Sequence, residues 1–352
     1  MKTEKKSILG KELRNASLQH RQGMKLTNSD GNIDSSSLGY QYAIQTTTFI
    51  RERVIEQKFY QVPIADFVPV DVGTGAWMED IKTNLVYDIA GDFESGLTGV
   101  SSGPSEIATV DVATAPKNAK LITWQKGYQY SVPEVAKALA SNNWDLVSGK
   151  MSALKKNWDL GIQKIAFLGL QQDLTNVPGL LTSPDVTVNT AVITKLVSSM
   201  NATEFQALVS KILAAYALNA NYTAMPNVFV MPLADYLGLG AATASGFPIG
   251  SMIDYLLNFF KQITGEKDFK ILPLAYAQEA QNAGYINGTT GKNRYVLYRK
   301  DPETIKMDIP VDFTLNPAGT SNNYTWQGVA AGQFSGAIFY RPAEAIYYDF
   351  AS

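Results

Sequence analysis

Apolar and polar residues alternate almost without fault between Lys120 and Val132. Ile122, Trp124, Lys126, Tyr128, Tyr130 and Val132 share one face, and Thr123, Gln125, Gly127, Gln129 and Ser131 share the other. That period of two predicts a strand with one covered face. Pro133 follows, at the first-turn position where a missing N–H is harmless, and predicts a short helix. The period then changes. Val147, Met151, Leu154, Trp158, Ile162 and Ile165 recur at steps of four, three, four, four and three. This single stripe predicts an amphipathic helix of about six turns. It ends at Gly169, and a polar loop leads to Val177-Pro178-Gly179-Leu180-Leu181.

Elsewhere the pattern is shorter. Phe49, Ile50, Val54, Ile55 and Phe59 predict a helix over Thr46–Phe59, and Ile64–Val72 reads as a strand. Leu85, Tyr87 and Ile89 alternate outbound, and Val110 and Val112 alternate inbound, around a Gly/Ser-rich tip from Gly91 to Pro104. A lone two-stranded ribbon is marginal in water, so this one needs a surface to lie on. Thr203 with Gln206 predicts a capping box for a helix carrying Phe205, Leu208, Val209, Ile212 and Tyr216. From Pro226 to Tyr324 strands and short helices alternate, with glycine-rich loops expected at Gly238–Gly250 and Gly284–Gly291. The class expected is α+β, not a doubly wound sheet.

Charge separates the first residues from the rest. Seven basic side chains (Lys2, Lys5, Lys6, Lys11, Arg14, Arg21, Lys25) against Glu4 and Glu12 leave residues 1–25 at +5 in a chain of net charge −2. Met1–Gln45 therefore reads as an extended basic arm, either solvated or in contact with nucleic acid, a scaffold or an acidic neighbour. Charged residues make up only 18% of the 352, alongside many Tyr, Asn, Thr and Gly. That composition fits surfaces that meet other protein, and equally a β-rich protein with uncharged loops.

Candidate chemistry is sparse. There is no cysteine, which removes disulfides, thiolate metal sites and thiol nucleophiles. His20 is the only histidine and lies in the arm, so a Ser-His-Asp triad or a histidine metal cluster has nothing to build on. Gly99-Val-Ser-Ser-Gly103 matches the spacing of a nucleophile elbow, but sits in the tip with no histidine after it. Gly291-Lys292 lacks the first glycine and the Ser/Thr of a phosphate loop, and Gly73-Thr-Gly75 lacks the third glycine of a dinucleotide turn. Glu79 and Asp80 are strand neighbours facing opposite ways, unsuited to glycoside chemistry. Ile212–Ala234 is free of charge, but its Asn and Pro residues argue against a membrane span. No secretion signal opens the chain, which implies production in a cytoplasm. No enzyme activity, cofactor or metal is expected.

The order of these elements resembles the major capsid proteins of tailed bacteriophages, whose shell fold is shared with encapsulins. The long strand, short helix, long helix, closing glycine and Pro-Gly-Leu-Leu run match that family's strand and "spine" helix. Asn227–Leu237, Asn293–Pro310 and Phe334–Tyr348 are similar to its later strands. The resemblance implies an N-terminal arm (1–45), the start of a peripheral domain (46–72) and an extended hairpin loop (73–118). It further implies a peripheral domain with the spine helix (119–225), an axial domain (226–325) and closing peripheral strands (326–352). It implies a virion protein, made in the host cytoplasm, that self-assembles as hexamers and pentamers of an icosahedral shell around double-stranded DNA. Scaffold, portal and decoration proteins are implied as possible partners, with weak contact to DNA and none to membrane. Candidate assembly residues are Gly91, Asp92, Phe93 and Glu94 at the tip, Lys117 and Lys120 on the inbound strand, and Lys2, Lys5, Lys6 and Arg14 in the arm. The alternatives are an encapsulin-like shell around cargo and an enzyme with an unrecognised carboxylate site.

Overall fold

The computed structural model describes residues 59–89, 111–142, 146–241, 251–286, 288–316, 318–320 and 324–350. The arm, the helix expected over Thr46–Phe59 (save Phe59 itself) and the hairpin tip lie outside the described residues. The architecture below is that of Phe59–Leu139 with Asp145–Ser352.

Along the chain come α1 (Ile64–Phe67), β1 (Val70–Val72), β2 (Asp80–Ile89), β3 (Asp111–Lys120), β4 (Ile122–Ser131), α2 (Val132–Asn142) and α3 (Leu146–Leu168). Then follow β5 (Thr187–Asn189), α4 (Ala202–Asn219), β6 (Val228–Pro232), α5 (Leu233–Ala241), α6 (Met252–Thr264), β7 (Lys270–Leu274), α7 (Glu279–Asn282) and β8 (Asn293–Tyr298). The last strands are β9 (Ile305–Ile309), β10 (Val311–Leu315), β11 (Gly319–Thr320), β12 (Thr325–Phe334), β13 (Ala337–Phe339) and β14 (Ala345–Phe350).

The two strongest sequence signals are realised. β4 pairs along its whole length with β12, from Ile122↔Phe334 to Ser131↔Thr325. The spine helix α3 buries Leu154, Trp158 and Ile162 of the expected stripe and ends at Gly169, whose φ of +74° suits glycine. Its last carbonyls, on Ala166 and Phe167, accept from the N–H groups of Leu180 and Leu181 at 2.8 and 2.9 Å, and that of Leu168 accepts from the Thr182 hydroxyl at 3.0 Å. The Pro-Gly-Leu-Leu run thus satisfies a helix end that would otherwise carry orphan acceptors.

Three local expectations are corrected. Ile64–Phe67 is one helical turn rather than strand, because Pro63 and Pro69 bracket it and only Val70–Val72 reaches a partner, β9. The capping box of α4 is Asn201 with Glu204, not Thr203 with Gln206. The Asn201 side chain accepts from the Glu204 N–H, and the Glu204 carboxylate accepts from the Asn201 N–H. Gly238 and Gly240 belong to α5 rather than to a loop, and Gly238 lies so close to Ser198 that a side chain there would collide.

Four sheets organise the described residues: β1-β9-β13, β10-β12-β11 with β4 beside β12, β5-β14-β8-β6-β7, and the separate pair β2-β3. The five-stranded sheet is covered on both faces. Val228, Val230, Val296 and Tyr347 meet Ile162, Phe167 and Leu180 on one side. Phe229, Tyr295, Ile346 and Tyr348 meet Phe205, Ile212 and Phe260 of α4 and α6 on the other. Two-sided burial explains why β6, β8 and β14 are almost continuously apolar rather than alternating. β14, expected among the closing peripheral strands, shares this sheet with β6 and β7 of the expected axial region.

Candidate assembly surfaces

β2 and β3 pair over ten residues, from Asp80↔Lys120 to Ile89↔Asp111, and neither pairs with any other described strand. The base of the hairpin rests on the chain's own core. Ile81 and Leu85 pack against Ala119, Ile338 and Tyr340, and the Thr83 hydroxyl lies 3.4 Å from that of Tyr340. Two ion pairs brace the same end. Lys120 reaches Asp173 at 2.8 Å, and Lys117 pairs with Asp185. The Lys120 partner holds the Asp173 carboxyl below the usual carboxylate range, and Asp173 in turn raises the Lys120 ammonium.

Both lysines singled out in the sequence therefore sit at the hinge of the hairpin, tied to the segment that closes the spine helix. The other candidates, Gly91, Asp92, Phe93, Glu94, Lys2, Lys5, Lys6 and Arg14, lie outside the described residues.

The turn entering the hairpin presents exposed apolar side chains, Val72, Trp77 and Met78, the last two each 59% exposed. Trp77 has φ +63°, a conformation that bulky residues rarely adopt. Gln333 on β12 secures it: its carbonyl accepts from the Trp77 N–H at 2.8 Å, and its amide donates to the Met78 carbonyl at 2.6 Å. An exposed tryptophan held in a strained backbone is a feature that interfaces use.

Several tying residues carried no sequence signal beyond being polar within an apolar run. Gln163, buried in the spine helix, accepts from the Val62 N–H and donates to the Tyr60 carbonyl and the Tyr276 hydroxyl. Arg294 and Asp349 face each other across β8 and β14 as a buried bidentate pair at 2.6 and 2.5 Å, and Arg294 also donates to the Leu181 carbonyl. Asp235 accepts from the Val197 and Ser198 N–H groups and from the Tyr295 hydroxyl.

For chemistry the described residues offer little. No group of three or more His, Asp or Glu side chains among them could hold a metal ion. The groove beside the spine helix, between Val62 and Trp158, carries Asp159 and Asp312 but no histidine or hydroxyl nucleophile. Among the described residues no helix is long and apolar enough to cross a membrane.

Residues 98–350 match the major capsid protein family. The chain belongs to that family. The capsid of the Myoviridae phage XM1 has the same fold, at 12% identity and TM-score 0.69, covering 91% of this chain and 99% of that one. A Mycobacterium phage Bobi chain is similar at 12% identity and TM-score 0.53, covering 88% and 97%. The capsid chain of the cyanophage P-SCSP1u aligns at 13% identity and TM-score 0.51, covering 94% and 100%. No curated protein matches the chain. This is a shell-forming capsid subunit and a virion component, and the family does not favour the cargo-enclosing alternative.

Proposed function

We propose that this capsid subunit closes an icosahedral shell of hexamers and pentamers around the double-stranded DNA of a tailed phage, using its hairpin to reach neighbouring subunits. The observation that carries this reading is a two-stranded hairpin anchored at its base. Its base is anchored by Ile81, Leu85, Lys117 and Lys120, while β2 and β3 have no other strand beside them among the described residues. A ribbon of that kind is marginal alone and is stabilised by a surface provided by another copy. Gly91–Glu94 then belong to the contact, and permanent interfaces of about 2,000–5,000 Å² per pair make the shell durable without disulfides. The basic arm touches packaged DNA or a separate scaffold protein. Portal and decoration proteins complete the particle.

Electron microscopy of the purified protein tests the shell directly, since a monodisperse small oligomer would return the chain to the enzyme reading. Shortening the tip, Gly91 to Pro104, separates the hairpin's role. The melting of isolated subunits should scarcely move, because a terminal loop contributes little to global stability. Shells should fail or form as small aberrant particles. Limited proteolysis should cut the tip in free subunits and spare it in shells. Unchanged assembly after the deletion would remove the hairpin from the mechanism.

A further inference from the structure

Charge is unevenly spread over the chain. Residues 26–352 carry −7, since 1–25 hold +5 and the whole is −2. Against that background the spine helix α3 is cationic: Lys150, Lys155, Lys156 and Lys164 stand against one carboxylate, Asp159, which leaves it at +3. Lys150 is committed within the chain, donating to the Gln129 carbonyl at 2.7 Å and pairing with Glu134 at 3.6 Å. The other three are held differently. The Lys155 ammonium lies 5.6 Å from the centre of the Phe313 ring, that of Lys156 4.2 Å from Phe59, and that of Lys164 5.2 Å from Tyr285. A ring steadies an ammonium without cancelling its charge. Lys126 of β4 adds a fourth group, with Nζ 3.4 Å from the Asn157 side chain. Among the described residues, Lys126, Lys155 and Lys164 meet no carboxylate at ion-pair distance, whereas Lys117, Lys120, Lys195 and Lys306 each do.

The surface around these groups is small and polar. Ser152, Ala153, Lys155, Asn157, Asp159 and Lys164 are exposed, and no large apolar side chain of α3 is. A helix that docks on protein offers apolar or aromatic anchors. This one offers charge, which suits a phosphate backbone. Asp159, with Asp312 across the adjoining groove, is the local counter-charge, so the four ammonium groups keep an excess of two. Lysine presents a point charge rather than a planar fork, and phosphate contacts position without reading sequence. Lys156 and Lys164 are eight positions apart, about 12 Å along the helix axis, and the major groove of duplex DNA is about 12 Å wide. The two can therefore meet phosphates on opposite sides of one groove.

We propose that the exposed side of α3, through Lys126, Lys155, Lys156 and Lys164, is a sequence-independent contact for the backbone of double-stranded DNA, separate from the arm. The inference rests on the shell reading above for the source of that DNA, and it turns this side of the spine helix toward the shell's interior.

Full-length subunits are titrated with a short labelled duplex of random sequence over a range of salt concentrations. A variant carrying Lys155→Gln, Lys156→Gln and Lys164→Gln should melt like the parent and bind at least about tenfold more weakly at low salt. Its plot of log K against log salt should be shallower by roughly two to three, since each phosphate contact contributes about 0.9. The arm is present in both chains, so the difference belongs to α3. Arg at the same three positions should keep the parental slope. A parental slope in the Gln variant overturns the proposal. The chain has no native cysteine, so Ser152→Cys bearing a photoreactive group gives a second reading with every lysine in place. In filled shells it should cross-link to DNA; cross-links to protein alone overturn the proposal in favour of a protein on this face. Shells that form and fill while the slope stays parental sink this inference and leave the shell reading. A changed slope from a protein that forms no shells sinks the shell reading and leaves the duplex-binding face.

Discussion

At the scale of single residues, glycines decide how closely the parts approach. A Cβ at Gly179 would fall on the backbone of Gly169 and Phe167, one at Gly336 on Pro178, and one at Gly332 on the Trp158 ring. Backbone cannot retreat as a side chain can, so Gly179→Ala should lower the melting temperature far more than Gly240→Ala, whose Cβ meets nothing. Equal melting of the two variants would mean that the helix end and the Pro-Gly-Leu-Leu run are not in contact. Buried tyrosines are the second device. The hydroxyls of Tyr216, Tyr298, Tyr347 and Tyr348 donate to the carbonyls of Glu344, Phe67, Leu180 and Ile212. Burial raises all four phenols well above their ordinary value. Unfolded tyrosines ionise near about 10, so this contribution is complete below that pH and is lost as pH climbs toward the raised folded values. Stability to denaturant should therefore fall above about pH 10, and tyrosinate absorbance of the buried set should rise together with unfolding. Gradual ionisation in the folded protein would contradict this.

Among the elements, the hairpin and the spine helix are linked through Lys117 and Lys120. Exposed ion pairs contribute little to global stability. Their effect here is directional, since they fix the end of the ribbon that also rests on the patch around Tyr340. Replacing both lysines by Ala should leave the melting transition nearly unchanged while speeding amide exchange along β2 and β3. The same loosening should follow acidification, because Asp173, with its pKa lowered by Lys120, loses its charge only as pH falls below the usual carboxylate range. Exchange rates that match the parent would show that the apolar patch alone sets the hairpin's base.

For the whole molecule, the sheet buried on both faces, the α3 end sealed by Leu180 and Leu181, and the Arg294–Asp349 pair form a body able to fold before it meets a neighbour. The arm is a separate matter. Removing residues 1–25, with their +5 charge, should leave the melting of the subunit intact. It should weaken packaging or scaffold binding and flatten the fall of binding with rising salt. The same salt response with and without the arm would leave it a solvated tail.

What the sequence determined by itself was local and ordinal. The period of two in β4, the stripe of α3, Pro133 and Gly169 each depend on neighbours within a few positions, and such patterns survive without knowledge of the partner. Their order along the chain was enough to point to the capsid family. Only the tertiary structure decided what rests on distant partners. Gln163 meets Val62 across 101 positions, and Gln333 meets Trp77 across 256. Likewise Asn201, rather than Thr203, starts α4 because the two-way bond with Glu204 forms there, and β14 enters the sheet of β6 and β7 through its antiparallel pairing with β8. Nor does the alternation of β4 say which of its edges pairs with β12; that follows from the register of β12, with the Leu121 N–H turned to Glu79 on the other side.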